Sequence, residues 1–186
     1  MSISKDKFEA TIRKYIKREG IEDLIKHLAN SDFYTAPASR FYHSSHKGGL
    51  MEHSYNVFTE LWKEVKNLDY DYDIETVAIV GLFHDLCKIG YYGTEMRNTK
   101  ENGKWVKKPY YTIEDSLPFG HGEKSVFMIR EFIKLNMEEI MAIRWHMCGF
   151  EPKEQYNVMS KAMSEFPLII LTHSADLKAT YILEGR

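Results

Sequence analysis

The chain has 186 residues, 44% of them hydrophobic and 28% charged, and a formal net charge of −2. That length predicts one domain over residues 1–186, large enough to bury a real core. The near-neutral charge does not favour a broad nucleic-acid-coating surface and leaves room for a local basic groove. No run of about 18 apolar residues occurs, which excludes a transmembrane helix and a membrane partner. The start, Met1-Ser-Ile-Ser-Lys-Asp-Lys, lacks the apolar centre of a signal peptide. Cys87 and Cys148 read as two reduced thiols, so a cytoplasmic location is expected.

Phe8, Ile12, Tyr15 and Ile16 make a helical stripe that ends near Gly20, and Ile21, Leu24, Ile25 and Leu28 make a second. These N-terminal helices, within residues 5–30, are expected to pack on a core over about 40–180. His27 is expected at the surface beside the second stripe. Residues 31–49 read as a loop, marked by Pro37, several serines and Gly48-Gly49. The loop carries Arg40, His43, His46 and Lys47 just ahead of a helix start, where an anion can meet free backbone N–H groups. From Leu50 to Leu68 an apolar stripe predicts a helix with His53 on its inner face.

Residues 74–89 are nearly apolar throughout and predict a buried central helix. His84 and Asp85 stand at its C-terminal end, where burial is costly without a partner or a metal. Adjacent helical residues point about 100° apart, so both can touch one centre, with Lys88 one turn beyond His84. Asn102-Gly103 is a hairpin signal between Arg97-Asn-Thr-Lys100 and Lys104-Trp-Val-Lys-Lys108, which predicts an inserted β-hairpin over about 94–114. Its five cations suit a substrate-side flap. Pro118-Phe-Gly-His121-Gly opens the next helix, expected to run through Val126, Ile129, Ile133 and Leu135. The glycines beside His121 let backbone approach a site closely. A further helix over Met137–Met147 carries His146, and a shorter helical piece covers Ser160–Phe166. The last helix, about 167–183, has an inward stripe of Ile169, Thr172, Asp176, Ala179 and Leu183, with His173 one turn before Asp176. The fold class expected is therefore all-α with one small hairpin.

The inward polar residues are His53, His84, Asp85, His121, His146 and Asp176. Four imidazoles and two carboxylates exceed the needs of one tetrahedral zinc and suit two metals bridged by a carboxylate. In this order, and with the flanking words Gly48-Gly-Leu-Met-Glu-His53 and His84-Asp-Leu-Cys-Lys88, the set resembles the HD-domain superfamily of metal-dependent phosphohydrolases. Residues 32–53 and 118–125 are also similar to small HD proteins of phages and prophages. The resemblance implies an HD-type helical bundle, with His53, His84, Asp85 and Asp176 on one metal and Asp85 bridging to a second held by His121 and His146. It implies catalytic roles for Asp85 and Lys88, the lysine standing near the transferred phosphate. Arg40, His43 and Lys47 fall in the region where relatives bind substrate, and Arg97 and His173 are further candidates. Cys87 stands where relatives often carry glycine.

The function expected is hydrolysis of a phosphate ester of a nucleotide or short oligonucleotide through a metal-bound hydroxide. Two divalent ions, of Mn, Fe, Co, Ni or Zn, would serve. The alternatives are a mixed-valent di-iron oxygenase of the same fold and a non-catalytic nucleotide-binding module.

Overall fold

The structure is a computed structural model that describes residues 3–41 and 44–185. His43, one of the expected substrate contacts, lies outside the described residues. Helix α1 (Lys5–Tyr15) starts where the Ser4 side chain accepts from the Lys7 N–H, and α2 (Ile21–Asn30) follows a left-handed Gly20. The loop then leads into α3 (Gly49–Asn67), the longest helix, and α4 (Ile74–Phe83) is capped by Asp73. Strands β1 (Tyr92–Glu101) and β2 (Lys104–Ile113) come next, then α5 (His121–Arg130), α6 (Met137–Trp145), α7 (Tyr156–Glu165) and α8 (Leu168–Lys178). A wider π turn over Ala179–Leu183 continues α8.

Helix α3 lies between α4 and α8, and α6 packs on α4, α5 and α8. Most of α4 is buried on every side, as its apolar composition requires. Phe8, Phe33, Leu50, Leu61, Ile79, Leu82 and Phe83 are fully buried in the main core. Each such side chain contributes about 1.5–3 kcal/mol relative to exposure. A smaller cluster of Trp145, Cys148, Met159, Ala162 and Ile169 seats α7.

One buried ion pair ties three segments together. Glu139 accepts from Arg18 through both carboxylate oxygens, each at 2.6 Å. It also accepts from the Thr76 hydroxyl at 3.0 Å and from the Asn136 N–H at 2.9 Å, closing a capping box at the start of α6. With every acceptor position used, this buried carboxylate avoids the desolvation cost of an isolated charge.

The hairpin forms as expected: Asn102 and Gly103 both have positive φ, and Tyr92 pairs with Ile113 through to Glu101 with Lys104. Two expected helix ends and one expected exposure differ. The helix read over 74–89 stops at Phe83, and a tight turn over Leu86–Lys88 follows. The helix expected through Leu135 stops at Arg130, while Ile133 and Leu135 are still buried from the connecting turn. His27 is half-buried against the Phe132 ring at 4.9 Å rather than at the open surface.

Close approach of α3 and α4 depends on Gly81. A Cβ built there would lie 2.5 Å from the Phe58 Cα, which is backbone and cannot turn aside. Gly81→Ala is expected to destabilise the fold by about 2–3 kcal/mol and to lower the melting temperature by roughly 4–12 °C. An unchanged melt would show that the two helices separate without cost.

Candidate metal centre

Six residues from five helices meet at one end of the bundle. His53 lies one turn into α3, His84 is the C-cap of α4 and Asp85 follows it. His121 is the first residue of α5, His146 is the C-cap of α6, and Asp176 lies in the last turn of α8. Two helix C-termini, those of α4 and α6, thus end at the cluster. Their partial negative charge favours a cation there. Close contact of α5 with α6 is possible because Gly122 has no side chain: a Cβ would come within 2.2 Å of the Arg144 carbonyl oxygen.

Asp85 is the hub. Its Oδ1 accepts from His121 Nε2 at 2.7 Å and lies 3.7 Å from His146 Nε2. Its Oδ2 accepts from the Lys88 ammonium at 2.6 Å and lies 3.6 Å from His84 Nε2 and 3.7 Å from His53 Nε2. His53 Nε2 is also 3.2 Å from Asp176 Oδ1. All four imidazoles therefore present Nε2 to one carboxylate.

The opposite ring nitrogens set the tautomers. His84 Nδ1 donates to the Gly81 carbonyl at 3.0 Å, and His146 Nδ1 donates to the Ile143 carbonyl at 2.7 Å. Each Nε2 is then a lone pair. Both are buried and have no hydrogen-bond partner among the described residues. Two orphaned lone pairs aimed at one carboxylate are unfavourable in a protein interior unless a cation fills the gap. Ligands about 2.0–2.2 Å from a common ion stand about 3–4 Å apart, which matches the spacings around Asp85 and Asp176. The buried His, Asp and Cys groups are geometrically able to hold a metal ion. They fall into three overlapping sets: His53, His84 and Asp176; His84, Asp85 and His146; and Asp85, Cys87 and His121.

The charges are strongly coupled. Burial pushes His84 down to about 3, so it stays neutral. Burial also opposes a charged His53, but hydrogen bonds and charge from Asp176 and Glu184 prevail and raise it to about 10. At His121 burial is likewise outweighed, here by Cys87 and Asp85, and the value rises to about 10. Asp85 is held well below the usual carboxylate range, against its burial, by Lys88 and His84. Asp176 is depressed in the same way by His53.

The other expected residues separate into two groups. Arg40 stacks over Phe41 at 4.3 Å and acts electrostatically on Tyr91, beside the cluster. Lys47 is exposed, and His173 is half-buried with its Nδ1 donating to the His146 carbonyl at 2.8 Å. His173 therefore braces the turn that carries His146 from behind. Arg97 pairs with Glu95 on the hairpin and lies 5.8 Å from the Tyr110 ring centroid. No hydrogen bond or ion pair among the described residues joins Lys47 or Arg97 to the four clustered histidines; the Lys47 carbonyl meets only His46 Nδ1, at 3.2 Å.

Two contributors were not expected from sequence. Cys87 Sγ lies 3.4 Å from His121 Nδ1, and its backbone N–H donates to Ser125. Glu184 is the other. Both of its carboxylate oxygens lie 3.2 Å from His53 Nδ1, and it also accepts from Asn56 at 2.9 Å and Ser44 at 2.7 Å. The stripe read over the last helix put Leu183 inward, yet Leu183 is 48% exposed. The cause is the π turn: the Glu184 N–H reaches back five residues to the Ala179 carbonyl, and the extra residue rotates Glu184 inward instead.

A cleft of about 260 Å³ opens beside the cluster, bordered by Lys88, Tyr91, Asp115, His121 and Lys124. The His121 side chain is 31% exposed there, whereas those of His53, His84 and His146 are sealed. Approach is therefore from the side of His121 and Lys88.

Two outcomes follow for metal uptake. His53 and His121, raised from 6.5 to about 10, must lose protons when they ligate. Affinity for a divalent ion is expected to rise as pH increases from 6.5 toward 10, and calorimetry at pH 8 in two buffers of different ionisation heat should show proton release. For the metal-free fold the sign is opposite: charged His53 and His121 stabilise it fully below about 6.5, and that contribution disappears as pH rises through 10. Glu184→Gln is expected to weaken metal binding about 10–100-fold with helix content unchanged. Equal affinity in that variant would remove Glu184 from the site.

Comparison with protein-family models, with curated proteins and with solved structures gives no match to this chain.

Proposed function

We propose that the chain is an HD-type, metal-dependent phosphohydrolase that cleaves a phosphate ester of a nucleotide or short oligonucleotide. The observation that carries this reading is the cleft: the exposed edge of the metal-ligating cluster, at His121, faces a space bordered by two lysine side chains, Lys88 and Lys124. A small anion fits that combination better than a neutral group does. Two divalent ions are proposed, with His53, His84 and Asp176 on one, Asp85 shared, and His121 and His146 toward the other. Cys87 beside His121 adds a soft donor, which favours Zn, Fe or Co over a site built from oxygen alone.

When bound, the ions supply a water acidified to a nucleophile and positive contacts for phosphoryl oxygens. The chain's own groups do the rest. The His84 and His146 rings are locked by their Nδ1–H bonds, so Nε2 is aimed in advance. Lys88 is held at 2.6 Å from Asp85 and, against its burial, is raised above the ordinary lysine value by that carboxylate. It remains an ammonium at neutral pH, which favours stabilising developing negative charge over giving up a proton. Lys124, paired with Asp115 at 2.7 Å, lies where a phosphate oxygen can compete for its ammonium.

Metal analysis of the purified protein, run beside a panel of phosphate mono- and diesters with manganese added, tests the reading. Asp85→Ala is expected to lose both metal and turnover. Lys88→Met is expected to keep its metal and to lose about 10²–10³ in kcat. Full turnover in Asp85→Ala would overturn the proposal, and bound iron with oxygen consumption but no phosphate release would replace it with the oxygenase.

A further inference from the structure

The hairpin stands away from the helical body, and its strands pack chiefly on each other. A lone two-stranded ribbon is marginal in water, yet this one exposes Trp105 at 72% and Met96 at 59%. Five cations, Arg97, Lys100, Lys104, Lys107 and Lys108, oppose only Glu95 and Glu101 over Tyr92–Ile113. The rest of the chain carries the compensating negative charge.

Register sorts these groups onto two sides, because directly paired residues of an antiparallel ribbon share a face. On one side Arg97 pairs with Glu95 and Lys108 with Glu101. The other side carries Tyr92, Met96, Lys100, Trp105, Lys107 and Tyr111. Lys100 and Lys107 are exposed and make no ion pair among the described residues. This second side is thus a run of aromatic and sulfur-bearing side chains with available ammonium groups between them.

The run starts near the cleft, because Tyr92 interacts electrostatically with Lys88, which borders it. Tyr91 and Asp115 also border the cleft and flank the two strands, and the Glu114 N–H donates to the Tyr91 carbonyl at 2.9 Å to close the ribbon's root. Tyr92, the first residue of the run, donates from its hydroxyl to the Ala38 carbonyl at 3.3 Å and rests 6.1 Å from the Tyr111 ring. The cleft, at about 260 Å³, is below the usual 300–1,000 Å³ of small-molecule pockets. A space of that size has room for a phosphate and part of its ester, and the remainder of a larger substrate would lie outside. Each strand has ten residues, about 33 Å at 3.3 Å per residue.

We propose that this face of the hairpin binds single-stranded nucleic acid, with bases stacking on Trp105 and Tyr111, phosphates meeting Lys100 and Lys107, and one end of the strand entering the cleft at Lys88 and His121. The proposal rests on the phosphate-ester reading of that cleft and names its substrate class. Aromatic faces interleaved with cations are what unpaired bases on a polyanionic backbone require. Continuity with a cleft that takes phosphate distinguishes this occupant from an anionic lipid surface.

The experiment is fluorescence anisotropy on the as-purified full chain, with labelled single strands of about eight nucleotides, both RNA and DNA, and vesicles containing phosphatidylglycerol as a separate arm. Trp105→Ala is expected to weaken the oligonucleotide about tenfold or more. Lys100→Ala with Lys107→Ala should weaken it and flatten its salt dependence, whereas Glu101→Ala with Lys108→Ala, on the opposite side, should not. All three variants alter exposed ribbon residues, and a thermal melt checks that each is folded. Trp105→Ala binding within twofold of the parent overturns the proposal, as does Trp105-dependent binding of vesicles without oligonucleotide binding. Trp105-dependent oligonucleotide binding without hydrolysis of any ester supports the hairpin while removing the hydrolase reading. Hydrolysis of small esters without oligonucleotide binding overturns the hairpin alone. Preference between the RNA and DNA arms identifies which strand the face takes.

Discussion

The Asp85 carboxylate is the point on which the rest of the site depends. It is buried, ionised, and set against the Lys88 ammonium and four imidazole edges. An isolated carboxylate there would neutralise itself by taking a proton. Lys88 and the histidines prevent this, and the helices that bring them are held in register by packing elsewhere: α3 on α4 through Gly81, α5 on α6 through Gly122, and α6 on α4 through Glu139. Stability and site geometry are therefore coupled. A change that lets α4 and α3 move apart also moves His84 and Asp85 away from His53.

Helix ends, more than helix faces, arrange the clustered side chains. Placing His84 and His146 at C-caps allows each ring to bond the carbonyl three residues back, in a turn where that carbonyl is otherwise short of partners. One bond thereby serves the cap, the tautomer and the aim of Nε2. At the far end of α8 the same economy is reached differently. A π turn rotates Glu184 beneath His53, where Asn56 and Ser44 complete its shell. His53 is thus gripped between two carboxylates, Asp176 ahead of it and Glu184 behind.

On the reading proposed above, the cleft and the hairpin would divide recognition by scale. Near the histidines, the ammonium groups of Lys88 and Lys124 are held by Asp85 and Asp115. Farther out, the ribbon offers length, exposed aromatic surface and ammonium groups without ion pairs among the described residues, but little buried structure of its own. Its strands interrupt the chain between Lys88 and His121, so the root of the ribbon is continuous with the two segments that border the cleft.

Local pattern alone determined much of this. Apolar spacing places α1, α2, α3 and α4, the Asn102-Gly103 dipeptide places the hairpin turn, His53 and Asp176 stand out because they interrupt apolar stripes, and His84 and Asp85 because they end a nearly apolar helix. Such signals are short-range and survive in any context, since they follow from the helical and strand periods. Tertiary structure decided the remainder. No spacing rule indicates that α4 would stop at Phe83, because that depends on the turn Asp85 and Lys88 make once they meet the histidines. Nor does a regular helical period reach Glu184: one inserted residue at the π turn exchanges it with Leu183. Arg97 and Lys47 read as candidate substrate contacts, yet no hydrogen bond or ion pair among the described residues joins them to the cluster, whereas Cys87, at a position where relatives often carry glycine, lies against His121. Charge is visible in a sequence; which charges share a few ångströms of space is set only when distant helices pack.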